Sequence, residues 1–171
     1  LPAVLLHWLQ AALVLWLFWL GWNMVELPKG AERSAAYALH KSFGLVALGL
    51  VLLRLVVRRL MPPPAPPAGG REATIAAAAH RALYALLLVL PVAGYLASAF
   101  TPFAMKIFGV ELPRIAAPDE AMNALFKQVH LLAGWTLASL VSLHVAAAIG
   151  HALRRDGTLS RMLPGRRVSG N

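Results

Sequence analysis

The chain has 171 residues, of which 59% are hydrophobic and 13% charged, and its mean hydropathy is +0.66, which excludes an ordinary soluble domain and indicates an integral membrane protein. It contains no cysteine, which excludes disulfides, iron–sulfur clusters and thiolate haem ligands. The net charge of +9 comes from arginines that flank apolar segments, so we predict no nucleic-acid partner.

Four apolar segments are each long enough to cross the roughly 30 Å hydrocarbon core of a bilayer as helices. The predicted spans are residues 2–24, 34–60, 74–100 and 121–153. A proline run after the second span predicts a stiff linker, Pro91 predicts a kink in the third, and an amphiphilic loop over 101–120 leads into the fourth. Residues 1–171 are therefore predicted to form a single domain, an all-α four-helix bundle in a lipid bilayer.

Positive charges are concentrated at the linker after the second span and in the C-terminal tail. The two opposite connections have fewer basic residues, and acidic residues offset them. The positive-inside rule therefore predicts that both termini and the proline linker are cytoplasmic. Since the first residue is Leu1 and an apolar segment follows almost at once, we expect the natural chain to begin with a further segment.

The histidines are predicted to lie in two layers of this bundle. His130 and His144 are fourteen residues apart on one predicted helix, so they face within about 40° of each other and are about 21 Å apart along the axis. The outer layer contains His40 and His130, and the inner layer contains His7, His80, His144 and His151. Ionisable residues are costly inside a membrane, and two matched layers indicate a function.

Two facing imidazoles at two depths are the ligands that two stacked b-type haems require. The outer layer offers one pair, His40 and His130, with no spare. The inner layer offers four histidines for two places. His144 is favoured because it shares a face with His130, whereas His151 is expected at the water interface. The sequence pattern does not choose between His7 and His80.

Other residues fit this hypothesis without deciding it. Lys41 and Arg81 each follow a histidine directly, and they are candidates to pair with haem propionates or to reach lipid headgroups. Four glycines can allow close helix packing or leave room for a flat macrocycle. They are Gly44, Gly49, Gly94 and Gly134.

Eight short motifs occur in an order that resembles the bacterial cytochrome b561 family of four-helix di-haem membrane proteins, over essentially the whole chain. They are Leu6-His7-Trp8, Leu39-His40-Lys41-Ser42-Phe43-Gly44, the Arg-rich end of the second span with its polyproline linker, His80-Arg81-Ala82-Leu83-Tyr84, Phe108-Gly109-Val110-Glu111-Leu112-Pro113, His130, Leu143-His144-Val145-Ala146-Ala147, and Arg155-Asp156-Gly157-Thr158-Leu159 before Arg161-Met162-Leu163.

The resemblance implies two haem b groups, with His7 and His144 as axial ligands of the inner haem iron and His40 and His130 as those of the outer one. His80 and His151 are then second-tier residues that line a quinone pocket or a proton path. It also implies a multi-pass protein of the bacterial inner membrane. Some members of the family are superoxide oxidases that pass electrons to ubiquinone, so ubiquinone is a further candidate cofactor.

Three function hypotheses follow. The first is a membrane oxidoreductase that carries electrons from an outer-side donor, such as superoxide or an unknown redox protein, to the quinone pool. Four basic residues are candidates to attract an anionic donor: Lys41, Lys106, Arg114 and Lys127. The alternative is a haem-bearing anchor subunit for a partner dehydrogenase or hydrogenase. A histidine-lined metal transporter is disfavoured because the spans contain few carboxylates.

Overall fold

A computed structural model describes residues 2–62, 70–155 and 157 of the chain. Four long helices account for most of them: α1 (Pro2–Glu26), α2 (Ala31–Leu60), α3 (Arg71–Ala99) and α4 (Glu120–Arg154). Each coincides with one predicted span to within a few residues, which confirms the all-α four-helix prediction. Most of the polyproline linker and most of the basic tail, on which the predicted orientation partly depends, lie outside the described residues.

Three of the helices, α1, α3 and α4, are long and apolar enough to cross a membrane. Their surfaces are unlike those of a soluble bundle, since large apolar side chains such as Leu132 on α4 and Trp19 on α1 are more than half exposed. The second helix, α2, has Lys41 and three arginines near its end. That α2 also crosses the bilayer stays a prediction.

The helices pack closely through small residues and a few aromatic pairs. α1 lies against α2, where Trp16 meets Phe43 with ring centroids 4.8 Å apart. α3 lies against α4, where Phe100 stacks on Phe126 at 5.9 Å. Alanines, with Val51 and Leu137, fill the centre of the bundle, and Ala93, Ala97 and Ala133 are among those that are buried. Small side chains let the backbones approach one another, as membrane helices require.

Three residues mark the interior of α3 and the start of α4. Pro91 lies inside α3, which remains a single helix across it. α4 begins after Asp119, whose side chain accepts a hydrogen bond from the Met122 amide at 2.9 Å and so caps the helix N-terminus. Asn123 then ties the start of α4 to the end of α3, because its side-chain amide donates to the Ala97 carbonyl at 2.6 Å.

The loop between α3 and α4 contains a small antiparallel hairpin, β1 (Lys106–Ile107) and β2 (Val110–Glu111). Its two turn residues, Phe108 and Gly109, both have positive φ, 48° and 83°. Two residues of this sign are what the tight hairpin turn needs. The sequence pattern indicated only an amphiphilic loop here, although the Phe108-Gly109 pair was its available signal.

The hairpin is fastened to the outer end of α2. Ser42 is 1% exposed, and its hydroxyl accepts a hydrogen bond from the Phe108 amide at 2.9 Å. The Phe108 ring meets Phe43 at 5.2 Å. On the far side of the loop, the Arg114 guanidinium donates to the carbonyls of Thr101 and Pro102 at 3.2 and 2.8 Å. The loop therefore covers the end of the bundle nearest His40.

Candidate functional site

The outer histidines, one from α2 and one from α4, face each other across the bundle. The imidazole centroids of His40 and His130 are 6.1 Å apart, and the ring planes are inclined at 78°. Both residues are half-buried. The structure thus brings together the pair that the layering predicted.

A glycine on a neighbouring helix lies behind each of these rings. A Cβ built on Gly94 of α3 would be 2.9 Å from both Cε1 and Nδ1 of His130. A Cβ on Gly21 of α1 would be 3.1 Å from Cε1 of His40. Side chains at these two positions would push the imidazoles out of place. Gly21 and Gly94 therefore leave the space that the rings of His40 and His130 occupy, and we call these two glycines the seats of the outer pair.

The two outer imidazoles differ in their hydrogen bonds. His130 Nδ1 is 2.8 Å from the Leu90 carbonyl oxygen, and since a carbonyl can only accept, Nδ1 donates. This leaves Nε2 as the nitrogen with a free lone pair. His40 Nδ1 is buried and has no hydrogen-bond partner in the structure. A metal-bound histidine usually donates its other ring N–H to a backbone carbonyl, as His130 does.

The inner histidines form a cluster of three around α4. The centroids of His7 and His144 are 6.3 Å apart, and those of His80 and His144 are 5.6 Å apart. His7 and His144 are half-buried, whereas His80 is exposed. The geometry therefore makes both His7 and His80 neighbours of His144, so the choice that the sequence pattern left open is not settled by distance.

Arg54 of α2 lies against His7. Its guanidinium is 3.3 Å from His7 Nδ1. It also lies 5.2 Å from the ring centre of Tyr84, and Arg58 lies 5.8 Å from the same ring. The sequence shows Arg54 only as part of the arginine-rich end of the second span and does not indicate its contact with His7. Its signal was an arginine placed six residues before the end of an apolar helix.

The second-tier residues are placed as follows. Lys41 is half-buried next to His40, and Arg81 is exposed on α3. His151 lies in the last turn of α4, seven residues beyond His144. In the described part of the chain, histidines, aspartates and glutamates do not come together in groups of three or more that could hold a metal ion by themselves.

The four glycines named from the sequence do not all have the same surroundings in the structure. Of these four, only Gly94 touches a histidine. A Cβ on Gly134 would meet Leu90 Cδ1 at 3.7 Å, an ordinary packing distance, and one on Gly44 or Gly49 would meet nothing within 4 Å. Gly21, which is not one of these four, is the second seat and lies behind His40.

A bundle of long apolar helices that holds histidines face to face at two depths is typical of a membrane b-type cytochrome. The comparison with protein families agrees, since the model of prokaryotic cytochrome b561 matches residues 1–165. The chain belongs to the prokaryotic cytochrome b561 family. It is therefore a bacterial membrane protein of electron transfer, and family membership implies b-type haem.

Curated relatives support the same family along nearly the whole chain. Cytochrome b561 homolog 2 of Escherichia coli (strain K12) is 33% identical over 162 residues, which cover 92% of this chain and 86% of that protein. A probable superoxide oxidase CybB of Yersinia pestis is 28% identical over 168 residues, covering 95% and 93%. Cytochrome b561 homolog 1 of Escherichia coli (strain K12) is 27% identical over 175 residues, covering 96% of each chain.

The histidine geometry fits the group that the family implies. A metal–imidazole bond is about 2 Å long, and the ring centre lies about 1 Å beyond the nitrogen. Two imidazoles that bind one metal ion from opposite sides therefore have ring centres about 6 Å apart. The pairs His40–His130 and His7–His144 have centroids at 6.1 and 6.3 Å. The unpartnered Nδ1 of His40 and the glycine seats are further observations that suit a site built for a ligand.

Proposed function

We propose that this protein is a di-haem b-type cytochrome of the bacterial inner membrane that carries electrons from an outer-side donor to membrane quinone. His40 and His130 are the axial ligands of the outer haem, and His7 and His144 are those of the inner haem. Both termini lie in the cytoplasm, as the positive-inside rule predicts, and all four helices span the bilayer. Superoxide is the donor that we favour.

One observation supports this proposal most strongly. α4 contributes one histidine to each of two facing pairs, fourteen residues apart, which corresponds to about 21 Å along the helix. A single packing histidine needs no partner imidazole. Two pairs at ligand spacing and at two depths match two redox centres stacked across a membrane.

Haem b, held between two imidazoles, supplies a reversible one-electron couple. The protein's own residues hold and insulate it. The Leu90 carbonyl fixes the orientation of His130 through Nδ1, and Gly94 and Gly21 leave room for the rings that they support. The hairpin at Phe108, bound to Ser42, covers the outer end of α2 and limits access of water to His40.

The overall reaction balances with two donors for each quinone. Two superoxide anions each lose one electron and leave as dioxygen, and one quinone takes up both electrons with two protons to become a quinol. A relative that covers most of this chain is named a probable superoxide oxidase, which favours this donor.

The basic residues support an anionic donor only in part. Lys106 lies opposite the acidic Glu111 in the hairpin register, whereas the Arg114 guanidinium donates to two backbone carbonyls and keeps its positive charge. Together with Arg114, the half-buried Lys41 beside His40 and the exposed Lys127 are the positive charges that attract an anion to the outer side.

The test adds superoxide to oxidised, detergent-purified protein and measures reduction through the haem absorbance. The experiment is done with and without a soluble ubiquinone analogue. The proposal expects reduction by superoxide and reoxidation when the quinone is added. Superoxide dismutase, added first, is the control and should abolish the reduction. Two haems that dithionite reduces and superoxide does not would contradict superoxide as the donor.

A second candidate is an anchor subunit that receives electrons from a partner dehydrogenase or hydrogenase. The loop between α3 and α4 favours it, because this loop exposes four large apolar side chains outside the helices: Phe103, Phe108, Val110 and Ile115. Such a patch suits a protein partner. Haems that ignore superoxide, together with a redox protein that co-purifies through this loop, would support the anchor.

A further inference from the structure

Arg54 is a charged side chain in an apolar part of the bundle. It lies six residues before the end of α2, which is about 9 Å of helix, and it is half-buried. An arginine at such a position needs an anionic or hydrogen-bonding partner, because an uncompensated charge is costly away from water.

Within the described helices, carboxylates occur only at the first two residues or the last residue, so the helix interiors offer Arg54 no carboxylate. The seven acidic residues of the sequence all lie in connections, helix ends or the tail: Glu26, Glu32, Glu72, Glu111, Asp119, Glu120 and Asp156. Of these, Glu72 is the acid at the start of α3, and its carboxylate lies 4.0 Å from Arg154. The groups that do face Arg54 are imidazole and phenol rings.

The hydrogen bond between Arg54 and His7 is incompatible with His7 as an iron ligand. A guanidinium can only donate, so His7 Nδ1 accepts and the proton of the neutral ring is on Nε2. Iron at Nε2 would require that proton to move to Nδ1, which then could no longer accept. Iron at Nδ1 would occupy the accepting lone pair. In either case the hydrogen bond from Arg54 to His7 must break when the haem binds, which frees the guanidinium for another acceptor.

Arg58 is a second cation near Arg54, and it increases the need for an anionic partner. Arg54 and Arg58 lie one turn apart on α2 and approach the same Tyr84 ring, at 5.2 and 5.8 Å. Cation–π contacts offset part of the repulsion between like charges but do not neutralise them. A haem brings two propionate carboxylates, which match two guanidinium groups in charge and in hydrogen-bond geometry.

We propose that Arg54 releases His7 and binds a propionate of the inner haem, with Arg58 beside it. This inference rests on the proposed function, because it requires a haem between His7 and His144. It assigns a haem-binding role to α2 at the inner layer, where α2 contributes no histidine. Arg81, the inner-side residue that the sequence suggested for this role, is exposed on α3.

The test compares the wild type with Arg54→Gln and Arg54→Lys, and Arg59→Gln is the matched control because Arg59 is exposed on the same helix. Haem per chain, the rate of haem transfer to apomyoglobin and the midpoint potentials are measured. We expect Arg54→Gln to lose the inner haem about tenfold faster or more, which is the usual size of effect when a residue that supports a metal site is removed. Arg54→Lys should lose it more slowly than Arg54→Gln, since it keeps the charge.

The potential of the inner haem should also fall in Arg54→Gln. A cation beside the haem disfavours the extra positive charge of ferric iron, so its removal favours the oxidised form. The outer haem should keep its potential, which shows that the bundle is folded. An unchanged inner haem in Arg54→Gln, or an equal loss of both haems, would overturn the proposal.

A chemical variant of the cofactor separates charge binding from general damage. Full-length protein made in haem-deficient cells is loaded with haem or with haem dimethyl ester, which lacks the propionate charges. Esterification should weaken inner-haem binding in the wild type and have a smaller additional effect in Arg54→Gln, where only Arg58 remains to bind a propionate. Additive effects would contradict the inference. A wild type that binds no haem at the inner histidines would instead contradict the proposed function.

Discussion

Gly94 lies directly behind the imidazole of His130, so close that a Cβ on the glycine would be 2.9 Å from two ring atoms. The same ring donates to the carbonyl of Leu90, which lies one helical turn before Gly94 on α3. On the opposite side of the bundle Gly21 bears the same relation to His40, at 3.1 Å. The outer pair is therefore positioned by backbone on both sides.

Gly94→Ala should displace His130 and damage the outer haem site. The added methyl group meets the ring and cannot avoid it without breaking the hydrogen bond to Leu90, and such overpacking costs about 1–3 kcal/mol. We expect a lower outer-haem content or a changed low-temperature spectrum of that haem. Gly44→Ala is the control, since its Cβ meets nothing within 4 Å. Equal spectra for the two variants would contradict the conclusion that Gly94 positions His130.

Gly21→Ala should have a milder effect than Gly94→Ala. Its Cβ would be 3.1 Å from His40 Cε1 and 3.5 Å from Nδ1, and His40 has no Nδ1 hydrogen bond to lose. A small shift of the ring can then relieve the contact. The haem content of the two alanine variants, purified in parallel, checks this order, and a more severe loss in Gly21→Ala would contradict it.

Substitution of single histidines should remove one haem and leave the other. His40→Ala should abolish the outer haem, because no other histidine of the described chain contacts His130, whereas His7→Ala should affect only the inner haem. His80 also lies beside His144, at 5.6 Å, so His80→Ala measures whether it replaces His7 as the ligand. Haem loss in His80→Ala with retention in His7→Ala would show that the inner pairing is wrong.

Ser42→Ala should loosen the hairpin over the outer site. The Phe108 amide loses its acceptor at 2.9 Å, and a lost hydrogen bond of this kind costs about 1 kcal/mol. Hydrogen exchange at residues 106–111 should become faster. Ser139→Ala is the control, since its hydroxyl bonds only to the Trp135 carbonyl within α4. Unchanged exchange in Ser42→Ala would show that the aromatic contacts alone hold the hairpin.

Gln10→Leu should not destabilise the protein. Gln10 is 2% exposed, its side-chain amide donates to the Ala47 carbonyl at 3.3 Å, and its Oε1 has no partner. Leucine removes the unpaired oxygen and keeps most of the volume, whereas Gln10→Ala leaves a cavity. We expect a Tm in detergent that is equal or higher for Gln10→Leu and lower for Gln10→Ala. A large drop for Gln10→Leu would indicate that Oε1 has a partner in the loaded protein.

The helices and the outer histidine pair were predictable from the sequence. Length and hydropathy define apolar helices, and a helix's regular rise converts the spacing of His130 and His144 into depth. α2 and α4 run in the same direction and both begin at the outer end, and His40 and His130 lie nine and ten residues after the first residue of their helices, so the two histidines reach one level. These arguments use periodicity alone and need no knowledge of side-chain contacts.

The surroundings of the histidines were less predictable. Residue spacing does not state which helices are neighbours, so Gly21 and Arg54 could not be paired with His40 and His7. For the same reason, four glycines looked equivalent although only Gly94 supports a ring. The hairpin at 106–111 was missed because two-residue strands have too short a pattern to be detected by alternation.

The central claim is that two haems are held in two layers, and haem counted per chain tests it most directly. A pyridine haemochrome assay with a reduced-minus-oxidised spectrum on the purified, full-length wild type gives the number and type of haem. We predict two b-type haems per chain with distinguishable midpoint potentials. A protein with full helical content and no haem, or with a single haem that survives His40→Ala and His144→Ala equally, would contradict it.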